Sequence, residues 1–155
     1  MAWTNSKVFS SFLTDMLNNT TAITLSSDTI DAALYDNTIT PDQTVTSANS
    51  AYNAGVWASG HVLDASGWPS VGRPLASKTS TFTTNVYTFA AANTVSANGN
   101  TTLGSTYGCL VYDATIASPV ANQGICFNYF GGANSVTNGT FTVVWNGSGI
   151  YGATL

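Results

Sequence analysis

The chain has 155 residues, and its seven acidic groups, all aspartates, outnumber three fixed cations for a formal net charge of −4. Only 6% of its residues are charged, against about 25% in an ordinary soluble domain. Lys7, Arg73 and Lys78 cannot neutralise a row of phosphates, which excludes nucleic acid as a partner, and no stretch approaches the roughly 18 apolar residues of a membrane span.

The absence of Glu and scarcity of Lys remove the residues that favour solvated helix faces. Abundant Thr, Ser, Asn and Gly suit strands joined by polar turns. No internal repeat or shift of composition marks a boundary, so residues 1–155 read as one domain, a helix over 1–20 and a β domain over 21–155. A neutral Thr/Asn-rich surface tolerates crowding, as in a shell or fibre.

The helix is predicted from Val8, Phe9, Phe12, Leu13, Met16 and Leu17, which fall on two adjacent rows of one apolar stripe. Thr4, Asn5 and Ser6 offer N-caps, and Asn18-Asn19 ends it. Such a helix either covers the domain's own sheet or serves as a docking arm. The same opening segment lacks the unbroken apolar core of a secretory signal, which implies synthesis in a reducing cytoplasm. Five Asn-x-Ser/Thr sequons therefore carry no meaning.

From Ile23 onward the pattern is that of strands: Ile23–Leu25, then 29–35, with a turn at Asp36-Asn37 and a stop at Pro41-Asp42. Residues 44–60 read as a loop leading to a short strand near Val56-Trp57. Later strands are expected at Val86–Phe89, Tyr107–Asp113, Gln123–Tyr129 and about 140–145, with an Asn98-Gly99 turn. The overall expectation is mainly β: an antiparallel sandwich or barrel with one N-terminal amphipathic helix. A hairpin centred near Ser118 would set Cys109 opposite Cys126 and Leu110 opposite Ile125. In a reducing compartment the two cysteines read as small buried hydrophobes.

Chemistry is sparse. His61 is the sole histidine; Asp64 is near it in sequence, but no Gly-x-Ser-x-Gly elbow supplies a nucleophile. Asp28 and Asp31 point to opposite faces of a strand, while Asp36, Asn37, Asp42, Asp64 and Asp113 read as turn formers rather than ligands. The chain reads as a non-enzyme, without cofactor or metal. Trp57, Trp68, Tyr52 and Tyr151 suit either a core or a sugar-stacking face.

In residues 59–75, SGHVLDASGWPSVGRPL, Pro69 and Pro74 fix φ at two places, and the permissive Gly67 and Gly72 allow the turns. They read as a semi-rigid brace that holds Trp68 and Leu75 against the sheet. Arg73 on this brace can bond a carboxylate or backbone carbonyls of its own chain or of a neighbour, its own chain being favoured.

This segment resembles a motif of small structural proteins of tailed bacteriophages, in which a strand is followed by a Gly-aromatic-x-x-Gly-Gly-x-x-Leu loop. Here His61-Val62, Gly67-Trp68-Pro69, Gly72-Arg73 and Leu75 fill its places, with Val71 where a first Gly often stands. TIDAALYDNTITPD before it is similar to that family's preceding strand, and YGCLVYDATIASPV with GICFNYFGGANSVTNGTFTVVWNGSGI to its later paired strands.

The resemblance implies a virion protein made in the host cytoplasm, foremost a capsid decoration protein on the outer head surface. Its implied partners are the major capsid protein and copies of itself, a trimer being the simplest assembly. A minor tail protein is the second expectation and a carbohydrate-binding module the third. The candidate brace or interface residues are Trp57, His61, Trp68, Arg73 and Leu75, with Cys109 and Cys126 as a cross-strand thiol pair.

Overall fold

The computed structural model describes residues 3–154 of the chain. In chain order, its elements begin with β1 (Lys7–Val8), α1 (Ser10–Asn18), β2 (Ile30–Tyr35), α2 (Ser47–Ser50) and a 3₁₀ turn (Gly55–Ala58). There follow β3 (Arg73–Pro74), β4 (Thr79–Thr83), β5 (Val86–Ala90), β6 (Thr94–Val95) and β7 (Thr101–Asp113). Last come β8 (Gly124–Gly139), β9 (Thr142–Val143) and β10 (Tyr151–Thr154). The protein is mainly β and antiparallel throughout, a sandwich-like fold with a short N-terminal helix.

Five strands form the main sheet in the order β1-β8-β7-β2-β3, and three form a second sheet, β10-β5-β4; β6 and β9 pair separately. β2 sits between β7 and β3 and is buried along almost its whole length, which explains why IDAALY reads as a continuous apolar run instead of an alternation. One core cluster runs from Trp3 to Ile150. Around Trp57 the rings of Trp3, Phe9, Tyr35 and Phe127 meet with centroids 5.1–6.0 Å away.

The N-terminal segment departs from the expected 1–20 helix. Lys7 and Val8 pair with Phe127 and Cys126 at the edge of β8, and the Phe9 N–H donates to the Ile125 carbonyl at 3.1 Å. This edge claims the segment that the periodicity assigned to a first helical turn. The helix starts at Ser10 behind Phe9, with no side-chain cap, instead of at Thr4–Ser6. Its end lies where the sequence put it, at Asn19 in the left-handed region (φ 52).

Two other expectations are corrected, and the Asn98-Gly99 turn is present. Ile23 and Leu25 are buried, but in a turn-rich strap and not a strand. The segment around Val56-Trp57 is the 3₁₀ turn, closed by the Trp57 N–H to Ala54 carbonyl bond. The Asn98-Gly99 turn joins β6 to β7, which do not pair with each other. The tight hairpin instead lies between β4 and β5, where Thr84 and Asn85 both take positive φ (50 and 64). That is the backbone of a primed two-residue turn.

β7 and β8 form the expected long hairpin, but in a different register. Cys109 faces Asn128, Cys126 faces Val111, and Leu110 faces Phe127. The loop slides the pairing by one place, with the Asp113 N–H bonded to the Gln123 carbonyl. A bulge slides it by one more, because Gly124 faces Tyr112 and Cys126 faces Val111, leaving Ile125 unmatched. Ile125 turns its carbonyl to Phe9, so the bulge also anchors the N-terminal segment.

Candidate binding surface

The 59–75 segment is anchored to the domain at both ends and in the middle. Val62 donates to the Leu34 carbonyl and Leu75 to the Ile30 carbonyl, each through its N–H, at 2.9 and 2.8 Å. Between these anchors the Asp64 carboxylate gathers the N–H groups of Ser66, Gly67 and Thr102 and the Ser66 hydroxyl at 2.8–3.0 Å. The Thr102 N–H, followed by the other donors, holds the Asp64 carboxyl down at about 2. Asp64 is a permanent anion tying the loop to β7, a role in line with the turn-forming one read from the sequence.

Trp68 is fully buried; its indole N–H donates to the Ala32 carbonyl at 3.0 Å, and its ring meets Phe141 edge-on at 5.7 Å. Leu75 is buried as well. Gly72 takes φ +93, and a Cβ there would stand 2.3 Å from the Ala32 carbonyl oxygen, so only glycine fits. Val71 needs no such freedom, since the positive φ falls on Gly72. Arg73 pairs with Ala32, and its Nε donates to the Val95 carbonyl at 3.3 Å. That bond lies within its own chain. The segment is thus a brace, with Trp68 and Leu75 spent on packing.

Trp57 is fully buried, and its carbonyl accepts the Tyr35 hydroxyl at 3.0 Å. His61 Nε2 lies 3.0 Å from the same hydroxyl, and its ring packs against Tyr35 and Tyr52. Burial lowers the His61 pKa, favouring the neutral ring. With the phenol proton committed to Trp57, Nε2–H is the donor. Neither Trp57 nor Trp68 presents a face on which a sugar can stack.

Cys109 and Cys126 are both buried free thiols. Burial pushes Cys126 up to about 12 and Cys109 well above its ordinary range, so both are inert toward nucleophilic chemistry. A perturbed carboxyl, Asp113, lies at the loop end of the β7–β8 hairpin. Asp113 is fully buried; its Oδ1 accepts the N–H groups of Thr115 and Ile116, while Oδ2 has no donor. Burial first, then the neighbouring Asp28 carboxyl, raises Asp113 to about 6. Among the described residues no group of three or more metal-ligating side chains occurs.

A large apolar groove lies elsewhere. Phe12 is the only buried residue of α1, packed edge-on against Tyr151 at 5.9 Å. Leu13, Met16 and Leu17, on the same stripe, face outward, and Leu17 is 87% exposed. They form one wall of a groove of about 550 Å³ whose other walls are Ile23, Leu25, Tyr87, Tyr151 and Ala153. No charged side chain lines it. The register of β4, β5 and β10 puts Phe82, Tyr87 and Ala153 on one face of the small sheet, so exposed Phe82 prolongs the apolar surface toward the hairpin tip. Sequence periodicity found the stripe on α1, but a stripe alone does not say how much of it the domain covers.

Compared with known proteins, the chain matches no family model, no curated protein and no solved structure. No helix among the described residues is long and apolar enough to cross a membrane.

Proposed function

We propose that this chain is a structural protein of a tailed-bacteriophage virion, a decoration protein that clamps major capsid subunits on the outer head surface. The observation that carries the reading is the uncharged groove of α1 and the β10-β5-β4 sheet, with Leu17 almost wholly exposed. Apolar surface of this kind, rimmed by polar residues, marks a protein-protein contact. Support for the virion comes from the motifs of residues 59–75 and their neighbours. The cation-poor composition favours the outside of the shell, away from packaged DNA.

A decoration protein adds stability only where assembled subunits supply its site. Particles stripped of the protein should release DNA at a lower temperature than complete ones. Re-addition should restore them at low and high salt alike, since an uncharged groove offers no ion pair to screen. A Leu17→Asp variant, folded by its own melting curve, should fail to restore. If stripped particles keep their heat resistance and lose only attachment to the host, the protein belongs to the tail and the head assignment is wrong.

A further inference from the structure

A furrow runs along β8 and β9, apart from the α1 groove. It has two parts of about 380 Å³ each, which share Tyr129, Phe130, Val143 and Val144 as walls. Each part falls within the roughly 300–1,000 Å³ of small-ligand sites. No charged side chain lines either part.

The lining is fixed in advance. The Tyr129 ring stacks on Trp3 with the planes 20° apart, and the Tyr129 N–H donates to the Ser6 hydroxyl at 2.9 Å. Two amides are each held at one end by the chain itself. Asn134 Nδ2 donates to the Gly132 carbonyl at 3.0 Å, which leaves its Oδ1 as an acceptor. Asn146 Oδ1 accepts the Ser148 N–H at 2.8 Å, which leaves its Nδ2 as a donor. Between the lining residues Phe130 and Asn134 the strand bulges: Gly108 faces Tyr129, yet Thr106 already faces Asn134. Gly131 and Gly132 take positive φ there (81 and 157), and a Cβ at either would meet nothing within 4 Å. Two such glycines inside a strand leave the main chain open to close approach by a ligand.

These features narrow the ligand. An ion finds no counter-charge in the furrow. A wholly apolar molecule would strand both amides. A peptide strand has no regular edge to pair with, because β8 is bulged and the Tyr129 N–H is already taken. What the lining matches is a molecule that carries hydroxyl groups on an apolar ring frame. Aromatic rings and valines cover its C–H faces, and one amide acceptor and one amide donor meet its hydroxyls.

We propose that the β8–β9 furrow binds a neutral oligosaccharide, with Asn134 and Asn146 reading its hydroxyls and Tyr129 and Phe130 packing on its rings. The site is separate from the α1 groove and does not depend on the capsid reading. It also differs from a sugar-stacking face at Trp57 and Trp68, both of which are buried.

The test applies the full chain to an array of neutral and anionic oligosaccharides. The best-retained glycan is then titrated by tryptophan fluorescence, since Trp145 lines the furrow. Neutral chains should be retained, with an affinity that changes little between low and high salt. Asn146→Asp keeps the acceptor for Ser148 and removes the donor, so it should melt like wild type and bind about tenfold more weakly. Val144→Arg, at a position 71% exposed, should leave the melt unchanged and abolish retention by filling the furrow. Leu17→Asp, in the α1 groove, should bind the glycan as wild type does. Retention of no neutral glycan, retention of anionic chains alone, or binding that survives Val144→Arg undiminished would each overturn the proposal.

Discussion

The brace and the α1 face solve opposite problems with the same kinds of residue. In residues 59–75 the Trp68 indole and the Asp64 carboxylate are both satisfied within the chain. On the α1 face three large apolar side chains are left in solvent. The first region spends its tryptophan and its carboxylate on the fold, and the second contributes less to the fold than its composition permits. An aromatic in a Gly/Pro-rich loop is therefore no guide to binding until its burial is known.

The comparison breaks most visibly at Trp68. Trp68→Ala should destabilise the protein by about 3–5 kcal/mol, through the lost packing on Phe141 and an orphaned Ala32 carbonyl. Chemical denaturation measures it, and a loss below 1 kcal/mol would show that the brace is ornamental. Phe12→Ala tests the seam between the two regions. It should cost about 3 kcal/mol, because Phe12 is buried against Tyr151 while bordering the open groove.

A smaller effect, on the order of 1–3 kcal/mol, belongs to Asp113. Its carboxyl titrates at about 6 in the fold, above the ordinary aspartate value of 3.8, so the native state holds the proton more tightly than the unfolded chain. The stabilisation is complete below about pH 4 and disappears as pH rises through 6. Asp113→Asn keeps an acceptor for Thr115 and Ile116 and supplies a donor facing Asp28. It should raise the melting temperature at pH 7.5 and leave it unchanged at pH 4. Asp64 works in the other direction: held at about 2, it contributes above pH 3.8, and that contribution is lost as pH falls through 2. Asp64→Asn should flatten the acid limb of the same melting profile.

The smallest effect on stability sharpens the contrast most. Leu17→Ser, at a position 87% exposed, should change stability by less than about 0.5 kcal/mol while weakening particle attachment. A melt and a pull-down on stripped heads read the two quantities separately. Equal attachment by mutant and wild type would remove α1 from the interface.

The mainly β fold was legible because Glu and Lys are missing and strand runs recur between Asx turns. Asp36, Asp42 and Asp64 each turned out to hold a main-chain N–H two residues on. What escaped was set by tertiary competition. Val8 carries a helical pattern yet belongs to a strand, because the β8 edge lay open to it. The cysteine register failed because neither the one-place slide at the loop nor the bulge at Ile125 leaves a local signature. The Thr84-Asn85 turn was passed over, as Thr rarely accepts positive φ. The groove and the furrow were invisible for a different reason: exposure follows from what the rest of the chain fails to cover.

The pairing of β1 with β8 has a consequence in time. Lys7 meets Phe127 across most of the length of the chain, whereas β7 and β8 meet across one loop. Closing the long span costs chain entropy that the local hairpin does not incur, so the hairpin and β2 should assemble before the N-terminal segment arrives. Trp3 and Phe9 then enter last, and Trp3 reports it: its indole N–H reaches the Asp36 carbonyl at 2.7 Å only once the segment is seated. The aromatic cluster is sealed by a plug. Until the plug docks, Trp57 and Phe127 stand open to water, and that interval is when the folding chain is most exposed to aggregation.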